Sequence, residues 1–415
     1  MTRATPIAIA DFNPYDGHQL RDPHALFARM RRDEPIFHSP ILGMWVVSRH
    51  TDICAVLRDP ERFSSRDAFS GGADFTPEAL ALLATGHPQT RTPIDTDPPE
   101  HGRLRRIVSG ALTGKRVEAL RPRLQAVASS LIESFAGDGR VELMSRFANP
   151  FPLQVVLGVL GIPEEDMAMI KRWSDDWFEL LFARVPPPRQ LECVRSFLNF
   201  QGYCERLIEQ RRDAGLDDAL SEMLRAGRDE PVPLSVAELI SVIGGAFIAA
   251  GHETTSRMLG NTVRVLLSEP GRWQELRADR SRIPRYLEEA LRFDGTVPGM
   301  VRTTTQDVVL GGQALPAGTR LYLLYASASR DEARFDCPEA FDPDRPNVMD
   351  HLAFGRGAHY CVGAQLARAQ AQVALELLVE RFPGLRLRAE QAFPYTSHTT
   401  IRGPLELWLE WDIAG

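Results

Sequence analysis

Cysteine is scarce in this sequence, and the scarcity excludes one class of architecture. The chain has 415 residues and five cysteines, far fewer than a scaffold stapled by disulfides requires. Four of the five lack the spacing of metal ligands and are interpreted as ordinary side chains in a reducing cytoplasm: Cys54, Cys193, Cys204 and Cys337. The fifth, Cys361, lies in a sequence of a different kind.

Long apolar runs, targeting segments and excess positive charge are also missing. The longest apolar stretch, residues 239–251, is too short to span a bilayer, and residues 1–14 show no signal-peptide pattern. We therefore expect no membrane anchor. The formal net charge of −7 argues against nucleic acid as a partner. Because no linker, low-complexity tract or internal repeat divides the sequence, it predicts one domain over residues 1–415.

Helical periodicity dominates the sequence between about residues 100 and 293. Short strand-like segments lie toward both ends, at residues 45–48, 297–324 and 405–411. In these segments β-branched residues are bounded by turn residues, or apolar and polar residues alternate. The pattern predicts a mainly α protein with a minor β portion.

One predicted helix is unusually long. Ser235 and Glu238 form a capping-box pattern at its start, and the next proline is Pro270, so the helix spans roughly 50 Å at about 1.5 Å per residue. Its apolar middle contains three glycines: Gly244, Gly245 and Gly251. Small residues let another group lie against a helix backbone, although close helix packing explains them equally well.

The residues around Cys361 carry the strongest functional signal. Phe354 lies seven residues before it, His359 two before and Gly363 two after, with a further glycine four before. Glycines on both sides permit tight turns and a close approach to a bulky planar group. The helical pattern of residues 364–380 would put the sulfur at a helix N-terminus, whose N–H groups compensate a thiolate and tune it as a metal ligand. A buried structural cysteine is the alternative.

This run resembles the heme-binding loop of the cytochrome P450 family, the heme-thiolate monooxygenases. The resemblance implies the cytochrome P450 fold, with a long central helix and a cysteine-loop heme site. It also implies heme b (iron protoporphyrin IX) as cofactor, with Cys361 as the axial thiolate and metal ligand, a ligation that favours O–O cleavage. The residues that match the family's cofactor contacts are His101, Arg105, Arg302, Phe354, His359, Cys361 and Gly363.

Four of these residues match the family's ligands for the heme propionates. His101 and Arg105 are four residues apart after a helix-start pattern, so they share one helical face. Arg302 lies on a predicted strand. His359 is a departure, since many relatives have arginine at that position.

The long helix carries a second motif, which resembles the family's oxygen-activation sequence. It reads AGHETT at residues 250–255, and an acid followed by a hydroxyl residue is locally unfavourable in mid-helix. By resemblance, Thr254 would hydrogen-bond dioxygen or the water beside it, and Glu253 would relay protons from solvent. O–O cleavage consumes two protons, which a carboxylate and a hydroxyl can deliver.

A third motif joins a helix to the segment before the cysteine loop. Glu289 and Arg292 are three residues apart on one helical face, and Arg345 follows in the sequence FDPDRP. They match the family's buried structural cluster, so we assign them to folding and to support of the heme loop. A solvated surface pair of small value is the alternative.

The family's substrate contacts map onto seven residues: Ala246, Ala249, Ala250, Val297, Pro298, Thr399 and Thr400. Small side chains at the three helix positions would leave space over the heme, which favours a substrate larger than a simple monocycle. The aromatic-rich segment 177–182, which precedes three consecutive prolines, is a predicted lid.

Together these motifs predict a monooxygenase that inserts one atom of dioxygen into a small organic, mostly apolar substrate by hydroxylation, epoxidation or dealkylation. One alternative is a heme-thiolate enzyme of natural-product biosynthesis that performs oxidative coupling or peroxide-driven oxidation. Another is a heme sensor or carrier without turnover. The pair Glu253–Thr254 favours dioxygen activation over both. A zinc site of His351, His359 and Cys361 is disfavoured, because zinc motifs do not require the Phe/Gly pattern.

Electrons are expected to come from another protein. The tail, residues 341–411, looks most like heme domains that are fused to a reductase, yet no flavin or iron–sulfur motif precedes Gly415. This predicts an external ferredoxin with its ferredoxin reductase. Six basic residues belong to segments that should flank the cysteine side of the heme: Arg103, Arg106, Lys115, Arg116, Arg356 and Arg368. They are either ordinary surface cations or a docking patch for an acidic partner.

Overall fold

The computed structural model describes residues 8–16, 19, 21–68, 75–182, 185–212, 214–269, 271–395 and 398–413, and for residues 178, 181 and 182 the backbone alone. The helices are α1 (His24–Asp33), α2 (His50–Leu57), α3 (Pro77–Leu83), α4 (Glu100–Ala111), α5 (Gly114–Ala119), α6 (Arg121–Glu133), α7 (Pro150–Val159), α8 (Met167–Phe182), α9 (Pro187–Arg211), α10 (Ala219–Arg228), α11 (Val236–Ser241), α12 (Ala250–Leu267), α13 (Arg272–Ala278), α14 (Ile283–Phe293), α15 (Tyr325–Ala328) and α16 (Ala364–Arg381). The strands are β1 (Ile36–Ser39), β2 (Met44–Val47), β3 (Phe63–Ser64), β4 (Arg140–Glu142), β5 (Met300–Thr304), β6 (Val308–Leu310), β7 (Gln313–Leu315), β8 (Arg320–Leu323), β9 (Arg386–Leu387) and β10 (Trp408–Glu410).

The main sheet joins the two distant parts of the sequence that predicted strands. Its order is β1-β2-β8-β5-β3, in which β2 and β8 are parallel, with Trp45 opposite Leu321, and the other pairs are antiparallel. A smaller sheet has the order β4-β10-β9, and β6 pairs with β7. The prediction of a mainly α protein with a minor β portion is confirmed.

The long central helix begins as predicted but differs in its middle. The side chain of Ser235 accepts from the N–H of Glu238, and the Glu238 carboxylate accepts from the N–H of Ser235, which completes the capping box. After α11 the chain is π-helical over Val242–Ala249 and returns to an α-helix in α12. The sequence predicted one uninterrupted α-helix, which is wrong for these eight residues.

Packing explains why small residues occupy the π-helical segment. A Cβ at Gly244 would lie 2.9 Å from a ring carbon of Phe200 in α9, and one at Gly245 would lie 3.2 Å from the methyl group of Thr92. Both neighbours are far away in sequence, so periodicity alone could not reveal the contacts that accompany the change in helix type.

The central helix lies in the protein core. α12 packs against α7, α14 and α16, and most of its side chains are buried. By length and composition, the continuous helix Val236–Leu267 is also apolar enough to cross a membrane. Core helices of soluble proteins pass the same test, and the packing of α12 on three helices identifies it as one of these.

Candidate active site

The cysteine loop is folded tightly between α2 and the start of α16. Gly355 and Gly357 have φ values of 67° and 74°, which glycine adopts without strain. A Cβ at Gly357 would lie 2.2 Å from the carbonyl oxygen of Leu57 in α2, so only glycine fits there. The N–H of Cys361 donates to the carbonyl of Phe354 at 2.9 Å, which closes the loop and fixes the cysteine.

The sulfur of Cys361 faces an internal space. Its side chain is exposed, yet burial raises the pKa of the thiol, so the sulfur is surrounded by protein rather than placed on the outer surface. The N–H of Gly363 and the charges of Arg105 and Arg368 oppose that rise in pKa. A Cβ at Gly363 would be 3.9 Å from the sulfur, an ordinary contact, so Gly363 acts through its N–H. Such donors stabilise a thiolate.

Three cation-forming side chains near this space have no acid partner among the described residues. His101 is 5% exposed, and its Nε2 has no hydrogen-bond partner there. Arg302 is 4% exposed and donates to the carbonyl of Val301 at 2.8 Å. Burial lowers the pKa of Arg105. Burial and the charges of Arg105 and Arg302 lower the pKa of His101, against the charge of Asp97. A buried guanidinium without an ion-pair partner is costly, so Arg302 with the half-buried Arg105 fits an anionic group.

His359 lies beside His101, with ring centroids 4.2 Å apart, and both of its ring nitrogens are hydrogen-bonded. Its Nδ1 lies 3.1 Å from the carbonyl of Pro93, and its Nε2 lies 3.0 Å from the hydroxyl of Ser65. Because a carbonyl can only accept, Nδ1 donates, and the hydroxyl donates to Nε2. Burial and the charges of Arg302 and His101 lower the pKa of His359 to about 3. These two bonds fasten the cysteine loop to residues 65 and 93.

The oxygen-activation motif occupies the first turns of α12. The Thr254 hydroxyl donates to the carbonyl of Ala250 at 2.7 Å, which leaves its oxygen able to accept. Glu253 is 19% exposed, with its two oxygens 3.1 Å from His252 Nε2 and 3.4 Å from Arg257 Nη2. Burial raises the pKa of Glu253, but these two neighbours outweigh it and hold the pKa at about 2. Glu253 is therefore ionised at neutral pH.

The predicted substrate contacts on the central helix lie where it is least enclosed. Ala246 and Ala249, in the π-helical segment, and Ala250, the first residue of α12, are half-buried, whereas the neighbouring Phe247 and Ile248 are buried in the core. These three positions are thus less enclosed than their neighbours on the helix.

The remaining predicted substrate contacts lie in two loops: Val297, Pro298, Thr399 and Thr400. The N–H of Arg402 donates to the carbonyl of Thr296 at 2.7 Å, which joins these loops. Arg257 of α12 donates to the carbonyl of Pro404 at 2.9 Å, which holds the second loop against the central helix. The structure therefore brings all three substrate segments to one region.

The predicted lid is described only in part. The side chains of residues 178, 181 and 182 lie outside the described residues. Trp177 stacks on Phe197 of α9 with ring centroids 3.8 Å apart, and Leu180 is buried. The described part of the segment packs against α9.

Comparison with known proteins identifies the family. The family model for cytochrome P450 matches residues 37–391. The chain is 34% identical to cytochrome P450 monooxygenase PikC of Streptomyces venezuelae, over 99% of this chain and 96% of the relative. It is also 34% identical to the mycinamicin IV hydroxylase/epoxidase of Micromonospora griseorubida, over 99% of this chain and 100% of the relative. The chain belongs to the cytochrome P450 family.

Solved structures confirm the cytochrome P450 fold that the motifs predicted. The P450 heme domain of Tepidiphilus thermophilus superposes with a TM-score of 0.92 at 33% identity and covers 97% of both chains. An intact type IV self-sufficient P450 monooxygenase has a TM-score of 0.91 at 34% identity, over 97% of this chain and 52% of the other. The second match agrees with the predicted resemblance of the tail to heme domains of reductase fusions.

Membership in this family confirms the predicted activity and cofactor. The protein is a heme-thiolate monooxygenase, an oxidoreductase that acts on small organic molecules with dioxygen and redox partners, and it uses heme b with a cysteine thiolate as axial ligand. The residues present fit that group, because a sulfur with N–H donors faces an internal space beside buried cations that lack acid partners.

The predicted docking patch is largely neutralised within the P450 chain. Each of its arginines has a carboxylate partner: Arg103 with Glu238, Arg106 with Glu230, Arg116 with Glu222, Arg356 with Asp350 and Arg368 with Glu288. Lys115 is exposed. Cations that are already paired attract a charged partner weakly. The partner carboxylates of the first three lie more than 100 residues away in sequence, which is why the sequence did not reveal them.

Sequence reasoning also missed residues that hold the cysteine loop. Ser65 and Pro93 bind His359, and Glu288 bridges His351 and Arg368. One signal was present for the second group: Glu288 and Glu289 are consecutive in one helix, so their side chains point to different neighbours. The functional site of this P450 therefore includes a layer of supporting residues that no motif marks.

Proposed function

We propose that Cys361 is the cysteine that ligates the heme of this P450, and that five further residues hold the cofactor: His101, Arg105, Arg302, Phe354 and Gly363. The observation that carries the proposal is an inward-facing sulfur, stabilised by the N–H of Gly363, beside buried cations without acid partners. When bound, the heme supplies the activation of dioxygen. The protein supplies the axial sulfur, counter-charges for the propionates and a route for protons.

Protons are delivered by Thr254 and Glu253 in this proposal. Glu253 is ionised and partly exposed, so its carboxylate can accept a proton from solvent. His252 and Arg257 hold that carboxylate in place through its two oxygens. Thr254 donates to the carbonyl of Ala250, so its oxygen is free to accept a hydrogen bond from a water on the proton route. Positioned acid–base groups of this kind contribute about 10²- to 10⁴-fold in rate.

Replacing Thr254 with alanine should divert electrons from product to hydrogen peroxide, because the proton route is interrupted while the heme contacts are untouched. We expect substrate affinity to stay within about twofold, and product formed per NAD(P)H to fall several-fold, in line with loss of one acid–base group. The measurement is product and peroxide per NAD(P)H consumed.

Thr255 provides a matched control for this experiment. It makes the same type of bond, from its hydroxyl to the carbonyl of Gly251 at 3.1 Å, but is 3% exposed. Thr255→Ala should retain the coupling of the parent. Equal coupling in Thr254→Ala and the parent would remove Thr254 from the route, and efficient turnover with hydrogen peroxide alone would support the peroxide-driven alternative.

The substrate in this proposal is a small, mostly apolar organic molecule larger than a simple monocycle. Half-buried alanines at 246, 249 and 250 line the central helix beside the loops of residues 297–298 and 399–400. Two relatives are a mycinamicin IV hydroxylase/epoxidase and a nocardicin C N-oxygenase, which supports a natural product as the substrate class.

Replacing Ala246 with phenylalanine should narrow the set of substrates that bind. A ring at this half-buried position would fill space beside the helix, where enlarging a packed site costs about 1–3 kcal/mol. Titration of a compound library, followed by the shift of the heme Soret band, measures the effect. Binding of imidazole serves as the control for an intact heme, and an unchanged library profile would place the pocket elsewhere.

An external ferredoxin with its reductase is the proposed electron donor, and the protein is proposed to be a soluble cytoplasmic domain over residues 1–415. One apolar cluster that runs from Ile107 to Trp411 supports the single domain.

Because the arginines of the predicted patch are paired internally, reduction by ferredoxin should depend only weakly on salt. Stopped-flow measurement of the reduction rate across a salt series tests this. A rate that falls steeply with salt would support the charged docking patch.

A further inference from the structure

A charge cluster beside the cysteine loop has a feature that the proposed function does not use. Glu288 of α14 is 8% exposed. It accepts from Arg368 of α16 through both oxygens, with Nη2 at 2.9 Å, and from Nε2 of His351 at 2.9 Å. Burial raises the pKa of Glu288, but Arg368 and His351 outweigh it and hold the pKa at about 2. The carboxylate is therefore charged and locks Arg368 in one orientation.

Arg368 also contacts two residues of the cysteine loop that precede Cys361. Its guanidinium carbon lies 4.5 Å from the ring centroid of Phe354, a cation–π distance. Its Nη1 donates to the hydroxyl of Tyr360 at 3.0 Å. Phe354 accepts the N–H of Cys361 through its carbonyl, and Tyr360 directly precedes the cysteine. Arg368 thus touches the two residues that fix the sulfur.

We propose that Arg368, locked by Glu288, is a positioning residue that sets the reduction potential of the cysteine-ligated heme by holding a positive charge against Phe354 and Tyr360. The proposal rests on Cys361 being the ligand. The pair acts as a dipole whose positive end faces the cysteine, because Arg368 contacts the loop while Glu288 lies behind it on α14. Arg368 is accordingly an internal residue, with 22% of its side chain exposed, rather than the docking cation that the sequence suggested.

The sign of the effect follows from charge balance. Reduction adds one electron, without a proton, at the centre that Cys361 ligates, so a nearby cation favours the reduced form and a nearby anion opposes it. Arg368→Gln should therefore make the midpoint potential more negative. Glu288→Gln should make it more positive, because Arg368 then keeps its charge without compensation. A merely structural role would move both variants in the same direction through a loosened loop.

The test is an equilibrium redox titration of the substrate-free holoenzyme, with the parent and all variants at the same pH. We expect each single variant to change the one-electron reduction equilibrium by roughly threefold to tenfold, in opposite directions, with the double variant near the parent. Arg356→Gln is the matched control. Arg356 lies in the same loop and also pairs with a carboxylate, Asp350 at 3.1 Å, but it is Arg368 that contacts Phe354 and Tyr360, so we expect a smaller shift.

Three outcomes would overturn the proposal: shifts of the same sign in Arg368→Gln and Glu288→Gln, no shift in either, or an equal shift in Arg356→Gln. If Arg368→Gln does not retain heme, Arg368→Lys takes its place, because it keeps the charge and loses the planar contact with Phe354. The midpoint potentials of Arg368→Lys and Glu288→Gln then decide the proposal. A thiolate-type carbon monoxide difference spectrum in these variants shows that ligation is intact. An unchanged midpoint potential with a normal spectrum would therefore refute the role of Arg368 while leaving Cys361 as the ligand.

Discussion

Replacing Cys361 with alanine is expected to abolish the thiolate-type carbon monoxide difference spectrum completely. The sulfur faces an internal space and is the sole thiol placed there among the described residues, because Cys54, Cys193 and Cys204 are buried elsewhere in the core. The loop that presents Cys361 is closed by its own N–H to Phe354, which fixes the position of the sulfur. Thiolate ligation is what favours O–O cleavage, so monooxygenase activity should disappear with the spectrum.

Cys337 offers a matched control for this variant. It is exposed, and its carbonyl accepts from Arg345. Cys337→Ala should show the same carbon monoxide difference spectrum and heme content as the parent. A normal spectrum in Cys361→Ala would overturn the ligand assignment and, with it, the proposed cofactor contacts.

Replacing Glu289 with glutamine is expected to be among the most destabilising single changes in this P450. Glu289 and Arg292 are fully buried and joined by two bonds of 2.7 and 2.8 Å. Arg345 lies 3.6 Å from the same carboxylate, so the substitution leaves two buried arginines without counter-charge. Breaking a buried pair from one side costs about 3–5 kcal/mol.

The same change should loosen the segment that leads into the cysteine loop. Arg292 donates to the carbonyls of Ser329, Pro338 and Ala340, and Glu289 accepts the N–H of Asp342 at 2.8 Å. We therefore expect reduced heme content together with the loss of stability. Urea unfolding of the holoenzyme and heme per chain measure both.

Glu380→Gln is the control for Glu289→Gln. Glu380 pairs with Arg280 on the surface, with 64% of its side chain exposed, and exposed pairs contribute about 0–1 kcal/mol. If Glu289→Gln cost no more than Glu380→Gln and retained its heme, the cluster would have no supporting role.

The sequence by itself determined those features whose physical cause is local. The capping box at Ser235 and Glu238 depends on residues three apart, and the tight cysteine loop depends on glycines whose positive φ other residues avoid. Both were predictable, and with the motif of residues 250–255 they were sufficient to indicate the family. The fold class followed as well, because helical periodicity and strand patterns are read within a few turns.

Tertiary structure alone decided how distant groups pair. The π-helical turn packs its glycines on Thr92 and Phe200, His359 gives both ring nitrogens to residues 65 and 93, and Arg368 is held by Glu288 from another helix. In each case the partner is some 40 to 300 residues away in sequence. The sequence does not indicate which of many distant residues a side chain will contact. Burial and geometry, which only the folded chain possesses, determine which of these residues are in contact.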